Sequence, residues 1–150
     1  MKSDKSMRKR AGIEDAEALA ELAIQMWPDD VPEALTEEFR RLAMNDEAVC
    51  FIRYADGQPI AFAQCQLRHD YVEGTDSSPV GYLEGIFVAE GYRKQSFAAE
   101  LLRECEKWAK EKGCAEFAND CELENADSFR FHLALGFEEA NRIVCFRKDL

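Results

Sequence analysis

Tyr82-Leu83-Glu84-Gly85-Ile86-Phe87-Val88-Ala89-Glu90-Gly91-Tyr92-Arg93-Lys94-Gln95-Ser96-Phe97-Ala98 runs from an apolar β-segment through a basic loop into the start of an amphipathic helix. Val80 to Val88 has the aromatic and β-branched content of a strand, and Gly85 in its interior marks a bulge or a close backbone approach. From about Ser96 to Lys112, the residues Phe97, Ala98, Leu101, Leu102, Cys105 and Trp108 fall on one helical face, and Gly113 supplies a left-handed cap. A strand that feeds a helix in this way leaves the first helical N–H groups pointing at the loop. With Arg93 and Lys94 beside them, that turn suits an anionic diphosphate. The same residues also fit an ordinary strand-loop-helix connection with two solvated cations.

Toward the N-terminus, Ala48 to Tyr54 and Pro59 to Arg68 are apolar runs separated by Ala55-Asp56-Gly57-Gln58, a hairpin signal that makes them antiparallel strands. Before them, Met7 to Ala11 reads as a short first strand. Ile13 to Met26 then reads as a helix stopped by Trp27-Pro28. A second helix opens at Pro32 and carries Arg40 and Arg41 toward its C-terminal end, where cations suit the helix dipole. Toward the C-terminus, Glu116 to Ala118 is a short strand and Asn125 to Leu135 a helix ending at Gly136. Phe137 to Ala140 and Arg142 to Lys148 are expected to close the sheet as a final pair. Strands first as a meander and later alternating with helices give an α+β class with a mixed central sheet.

The 150 residues read as one domain, with Met1 to Ser6 as a loose polar tail in place of a secretory signal. No apolar run approaches the roughly 18 residues of a membrane span. Six cysteines stand without a C-x-x-C pair beside only two histidines, so no zinc spacing exists and the thiols read as reduced and cytosolic. The net charge of −11 argues against a nucleic-acid partner, which needs clustered Lys and Arg, and is compatible with a cationic ligand or with solubility alone.

Arg93-Lys94-Gln95-Ser96-Phe97-Ala98 resembles the Q/R-x-x-G-x-G/A cofactor motif of the GNAT acetyltransferase superfamily, and Asn125, Ser128, His132 and Gly136-Phe137 resemble a second superfamily segment. The resemblance implies the GNAT fold, an α+β architecture with a mixed central sheet of about six to seven strands flanked by about four helices. It also implies acetyl-CoA as co-substrate, with no metal. Backbone groups of Ile86, Phe87 and Val88 would pair with the pantetheine arm, the loop from Arg93 to Ala98 would cradle the pyrophosphate, and Asn125 would touch the pantetheine. Read from the residues alone, Asn125 is equally a helix N-cap. Two departures stand out: Ser96 occupies a glycine position, and His132 stands where many relatives carry the tyrosine held to protonate the leaving thiolate. If Ser96 must adopt positive φ, its side chain costs on the order of 1 kcal/mol.

Met26-Trp27-Pro28, Arg68-His69-Asp70-Tyr71-Val72-Glu73-Gly74, Asp76-Ser77-Ser78-Pro79, Leu83 to Val88 and Ala118-Asn119-Asp120 together resemble one subgroup, the aminoglycoside 6'-N-acetyltransferases. A primary amine is mostly protonated at neutral pH, so such a site needs a base near the thioester carbon. Glu84 beside the bulge is the first candidate, acting directly or through a water, and Asp120 the second; both also suit holding ammonium groups. A backbone N–H freed near Phe87 or Val88 would face the developing oxyanion. The subgroup resemblance sets Trp27 and Tyr71 against the sugar rings, with Asn141 on the same pocket. Asp70, Glu73, Asp76, Asp120, Glu122 and Glu124 would supply negative charge around it. Another GNAT acceptor (a polyamine, an amino sugar or a protein N-terminus) and a non-catalytic acyl-CoA sensor are the alternatives. The apolar Ile143-Val144-Cys145-Phe146 is expected to support a homodimer, and a cytoplasmic location follows from the thiols.

Overall fold

The computed structural model describes residues 7–150, so the expected tail from Met1 to Ser6 lies outside the described residues. Asp56 (φ 50°) and Gly57 (φ 78°) are both left-handed, as a two-residue hairpin turn requires. They join β2 (Ala48–Ala55) to β3 (Gln58–Arg68). β1 (Met7–Arg10) lies antiparallel to β2, and β4 (Val80–Val88) lies antiparallel to β3. β5 (Phe117–Ala118) joins β4 in parallel, giving a mixed sheet in the order β1-β2-β3-β4-β5.

A 3₁₀ turn at Ile13–Asp15 leads into α1 (Ala16–Met26), followed by α2 (Pro32–Ala43), α3 (Phe97–Glu111) and α4 (Ala126–Ala134). Strand alternation sorts the core into two layers. Phe62 of β3, with Cys50 and Ile52 of β2, packs against Leu19 and Leu22 of α1 and Leu35 and Phe39 of α2. Ala61, Ala63 and Cys65 face the other way, against Leu101, Leu102, Cys105 and Trp108 of α3. Each fully buried Leu or Phe in these layers contributes about 1.5–3 kcal/mol. Helices therefore cover both faces of the sheet. Among the described residues no helix is long and apolar enough to cross a membrane.

Local contacts fix the elements that carry the site. At Gly81 a Cβ would stand 2.7 Å from Phe117 Cδ2 and 2.8 Å from Ala109 Cβ, so the missing side chain lets β4, β5 and α3 close together. Arg53 donates to Glu100 Oε2 (2.7 Å) and lies 4.3 Å from the Phe97 ring, which ties β2 to the first turn of α3. Asp15 is buried, accepting from the Tyr54 hydroxyl (2.7 Å) and the Gly12 N–H (2.8 Å), with Lys9 Nζ 3.0 Å away.

The strand count corrects the expectation of six to seven: among the described residues the sheet has five, and Phe137 to Ala140 and Arg142 to Lys148 carry no strand. β5 offers a ladder of only two residues, and the chain from Glu138 onward lies exposed, with Phe146 at 93%. A β-branched and aromatic run forms a strand when a partner edge meets it, and this chain by itself presents none there.

Candidate active site

On β3 and β4 the register passes from Cys65↔Leu83 to Gln64↔Gly85, so Glu84 is the extra residue of a bulge. The sequence signal at Gly85 thus marks a real irregularity. Gly85 is also a close approach: a Cβ there would be 3.1 Å from Cη2 of the Trp27 indole, which stands over it. On its other edge β4 pairs with β5 only at Gly81↔Phe117 and Tyr82↔Ala118. The two strands then part, and among the described residues the β4 edge from Leu83 to Val88 has no strand partner on that side.

That open edge leads into the loop 89–96, where Gly91 (φ 91°), Lys94 (φ 62°) and Ser96 (φ 67°) are left-handed. Arg93 Nε donates to the Val88 carbonyl (2.9 Å) and folds the loop back on the strand end. Ser96 is the N-cap residue of α3, yet its side chain makes no capping bond. The first-turn N–H groups are therefore without a side-chain acceptor, at the positive end of the helix dipole. Ser96 meets the condition set by its sequence position, since its φ lies where a Cβ is unfavourable.

Glu84 projects toward the α1–α2 side. Arg68 grips both its oxygens, with Nη2 at 2.8 and 3.0 Å and Nε at 3.1 Å. The Arg68 guanidinium lies 3.5 Å over the Tyr82 ring, and the Tyr82 hydroxyl donates to Asp120 Oδ2 (2.7 Å). Burial first, and then the Asp120 bond, push the Tyr82 hydroxyl pKa well above its ordinary 10.0, so it stays a donor at neutral pH. The two candidate bases are thus joined through Arg68 and Tyr82. Neither linking residue was singled out from the sequence, because their partnership depends on strand register.

His132 on α4 has both ring nitrogens engaged. Nδ1 stands 2.6 Å from the Ser128 carbonyl, which can only accept, so Nδ1 carries the hydrogen. Nε2 then accepts from Asn119 Nδ2 (2.6 Å), while Asn119 Oδ1 accepts the Asp120 backbone N–H (2.7 Å). Asn125 caps α4, with Oδ1 accepting from the Ser128 N–H (3.0 Å).

A cleft of about 290 Å³ opens on the α1–α2 side, lined by Trp27, Asp30, Glu38, Phe39, Gln64 and Glu84. Trp27 and Glu84 both line it. Tyr71, 75% exposed on the loop after β3, does not line it, and Asn141 Nδ2 instead donates to Glu73 Oε1 (2.6 Å). Asp30, Glu38 and Gln64 were missed in the sequence. No local signal separates Asp30 and Glu38 from other surface acids, whereas Gln64, a polar residue at an inward position of an apolar strand, was a usable one.

The family model described as "Acetyltransferase (GNAT) family" matches residues 16–137. The chain belongs to this family. Among curated relatives, "Aminoglycoside N(6')-acetyltransferase type 1" of Serratia marcescens is 43% identical over 138 residues, covering 91% of this chain and 94% of that protein. Two solved structures are similar to this GNAT chain throughout. AAC(6')-Iy in complex with the bisubstrate analog CoA-S-monomethyl-acetylneamine is 38% identical with a TM-score of 0.91, covering 97% of this chain and 99% of that one. AAC(6')-Iy in complex with CoA is 37% identical with a TM-score of 0.93, covering 99% and 98%. The bulged β4, the open edge and the loop into α3 all lie inside the GNAT match.

Proposed function

We propose that this chain is an aminoglycoside 6'-N-acetyltransferase, a single domain that moves acetyl from acetyl-CoA onto a primary amine of the antibiotic by direct attack and so confers resistance. One juxtaposition carries the reading. An unpaired β4 edge leads to an uncapped helix N-terminus, and the bulged Glu84 of the same strand lines an acidic and aromatic cleft. The names of the relatives and the CoA and bisubstrate complexes support it.

The residues present fit the co-substrate. The open backbone of Ile86, Phe87 and Val88 matches the amides of a pantetheine arm, and Asn125 would be a further contact to it. The loop Arg93-Lys94-Gln95-Ser96-Phe97-Ala98 offers the pyrophosphate backbone N–H groups and the Lys94 cation. On the acceptor side, Trp27 takes a sugar ring within the cleft, and Tyr71 and Asn141, outside its lining, would reach the substrate only as it extends beyond the cleft. Glu84 receives the ammonium proton, directly or through one water, with Asp120 as the second carboxylate. The amine attacks the thioester carbonyl carbon, the C–S bond breaks, and the thiolate takes up a proton. For His132 to give that proton it must release Ser128 or Asn119. With both bonds kept, it steadies Asn119 and through it Asp120.

Incubation with acetyl-CoA and kanamycin or tobramycin is expected to release CoA, with mass spectrometry and NMR placing one acetyl on the 6' nitrogen. Release with spermidine but with neither antibiotic sinks the assignment. We also propose a homodimer in which the segment around Ile143, Val144 and Phe146 finds its partner in a second copy, supported by the exposure of all three. Light scattering on Phe146→Asp checks this, a monomer being the expected result. Six free cysteines support a cytoplasmic setting.

A further inference from the structure

Three carboxylates line the α1–α2 cleft, and their charges are not equally available. Glu84 already has a cation, the forked guanidinium of Arg68. Asp30, just before α2, and Glu38, on α2, have no ion-pair partner among the described residues. Beneath them lies Gln64. It is only 8% exposed, it lines the cleft, and its side-chain amide has no hydrogen-bond partner among the described residues. Its amide opens into the cleft, where a ligand hydroxyl can take the place of water as its partner. Trp27 and Phe39 supply apolar surface around the same space.

We propose that this part of the cleft is a second cation subsite, which rests on the reading of the acceptor as a polycationic amino sugar. Asp30 and Glu38 hold an ammonium group borne by a ring other than the one acetylated. The Gln64 amide hydrogen-bonds a hydroxyl of the ring that lies on Trp27. A single-ring monoamine reaches Gln64 and Glu84 and leaves Asp30 and Glu38 unused. The acceptor's total charge is thus read on α2 and its approach, away from the bulge where acetyl transfer is decided.

Equilibrium titration tests this without turnover, using kanamycin as the polycation and 6-amino-6-deoxyglucose as the monoamine. The Asp30→Asn, Glu38→Gln double variant is expected to bind kanamycin about fivefold to tenfold more weakly, as loss of two exposed ion pairs implies. Its affinity for the monoamine stays that of the parent, and the salt dependence of kanamycin binding becomes shallower. Gln64→Leu is expected to weaken both ligands about fivefold, the worth of one hydrogen bond. Gln64→Met, of similar length, guards against a packing effect. Equal affinity of parent and double variant for kanamycin overturns the subsite, as does equal weakening of both ligands by the double variant. Full affinity in both Gln64 variants overturns the role of the amide. A parent that binds kanamycin in this pattern but never acetylates it would instead refute the proposed activity.

Discussion

Ser96 holds a side chain at φ 67°, where a Cβ meets the backbone, in the turn that feeds α3. Ser96→Gly is expected to raise stability by about 1 kcal/mol, read by urea denaturation, because relief of that strain outweighs the extra freedom gained by the unfolded chain. The same change lets an anion approach the turn more closely, so the KM for acetyl-CoA falls; an unchanged KM would show that the hydroxymethyl group is harmless there. Tyr82 carries a different burden, since its ring supports Arg68 while its hydroxyl holds Asp120. Tyr82→Phe keeps the ring and deletes the bond to a charged acceptor. We expect kcat/KM to fall about tenfold, consistent with about 1.5–3 kcal/mol for hydrogen bonds to ionised groups. At this scale the sequence was legible where backbone geometry attaches to residue type, as at Gly85 beside the bulge and at Ser96. It was opaque where roles come from cross-strand neighbours, as at Arg68 and Tyr82.

Among the elements, β4 is held most tightly at Gly81, where a methyl group would collide with Phe117 and Ala109. Gly81→Ala is expected to cost about 1–3 kcal/mol by overpacking, visible as a lower urea midpoint at unchanged slope. The buried Asp15 couples the 3₁₀ turn to β2. Burial pushes its pKa up, but hydrogen bonds from Tyr54, Gly12 and Lys9 outweigh that and hold it below its ordinary 3.8. A depressed carboxyl stabilises the fold above its unfolded pKa, and this contribution is lost as pH falls through the folded value. Melting curves below about pH 4 should therefore lose this increment, and Asp15→Asn should flatten that part of the profile. A variant with the parental acid slope would contradict it. Most elements could be read from periodicity and caps: Val80 to Val88 agrees at both ends, and Pro32 opens α2. The closing strand pair from Phe137 to Lys148 failed because strand propensity names a willing segment and says nothing about whether an edge is there to receive it.

Over the whole molecule, the mixed α+β layering followed from the order of strands and helices. The cleft on the α1–α2 side did not, since Trp27, Asp30, Glu38, Gln64 and Glu84 are spread along the chain and meet only when α1 and α2 fold over β3 and β4. Ahead of the extra residue in β4, Tyr82 faces one layer and Leu83 the other; beyond it, Ile86 and Val88 join the Leu83 layer and Phe87 the opposite one. The odd-even frame of the core is already correct if Glu84 is skipped. Excising Glu84 would bring Leu83 and Gly85 into consecutive register with Cys65 and Gln64, yielding an unbroken ladder with every apolar residue still inward. We expect that deletion to fold with a melting temperature near that of the parent while acetyl transfer disappears; a melting temperature far below the parent's would contradict the reading. The fold can be written without Glu84, so the carboxylate we propose as the base is an insertion into an otherwise regular sheet.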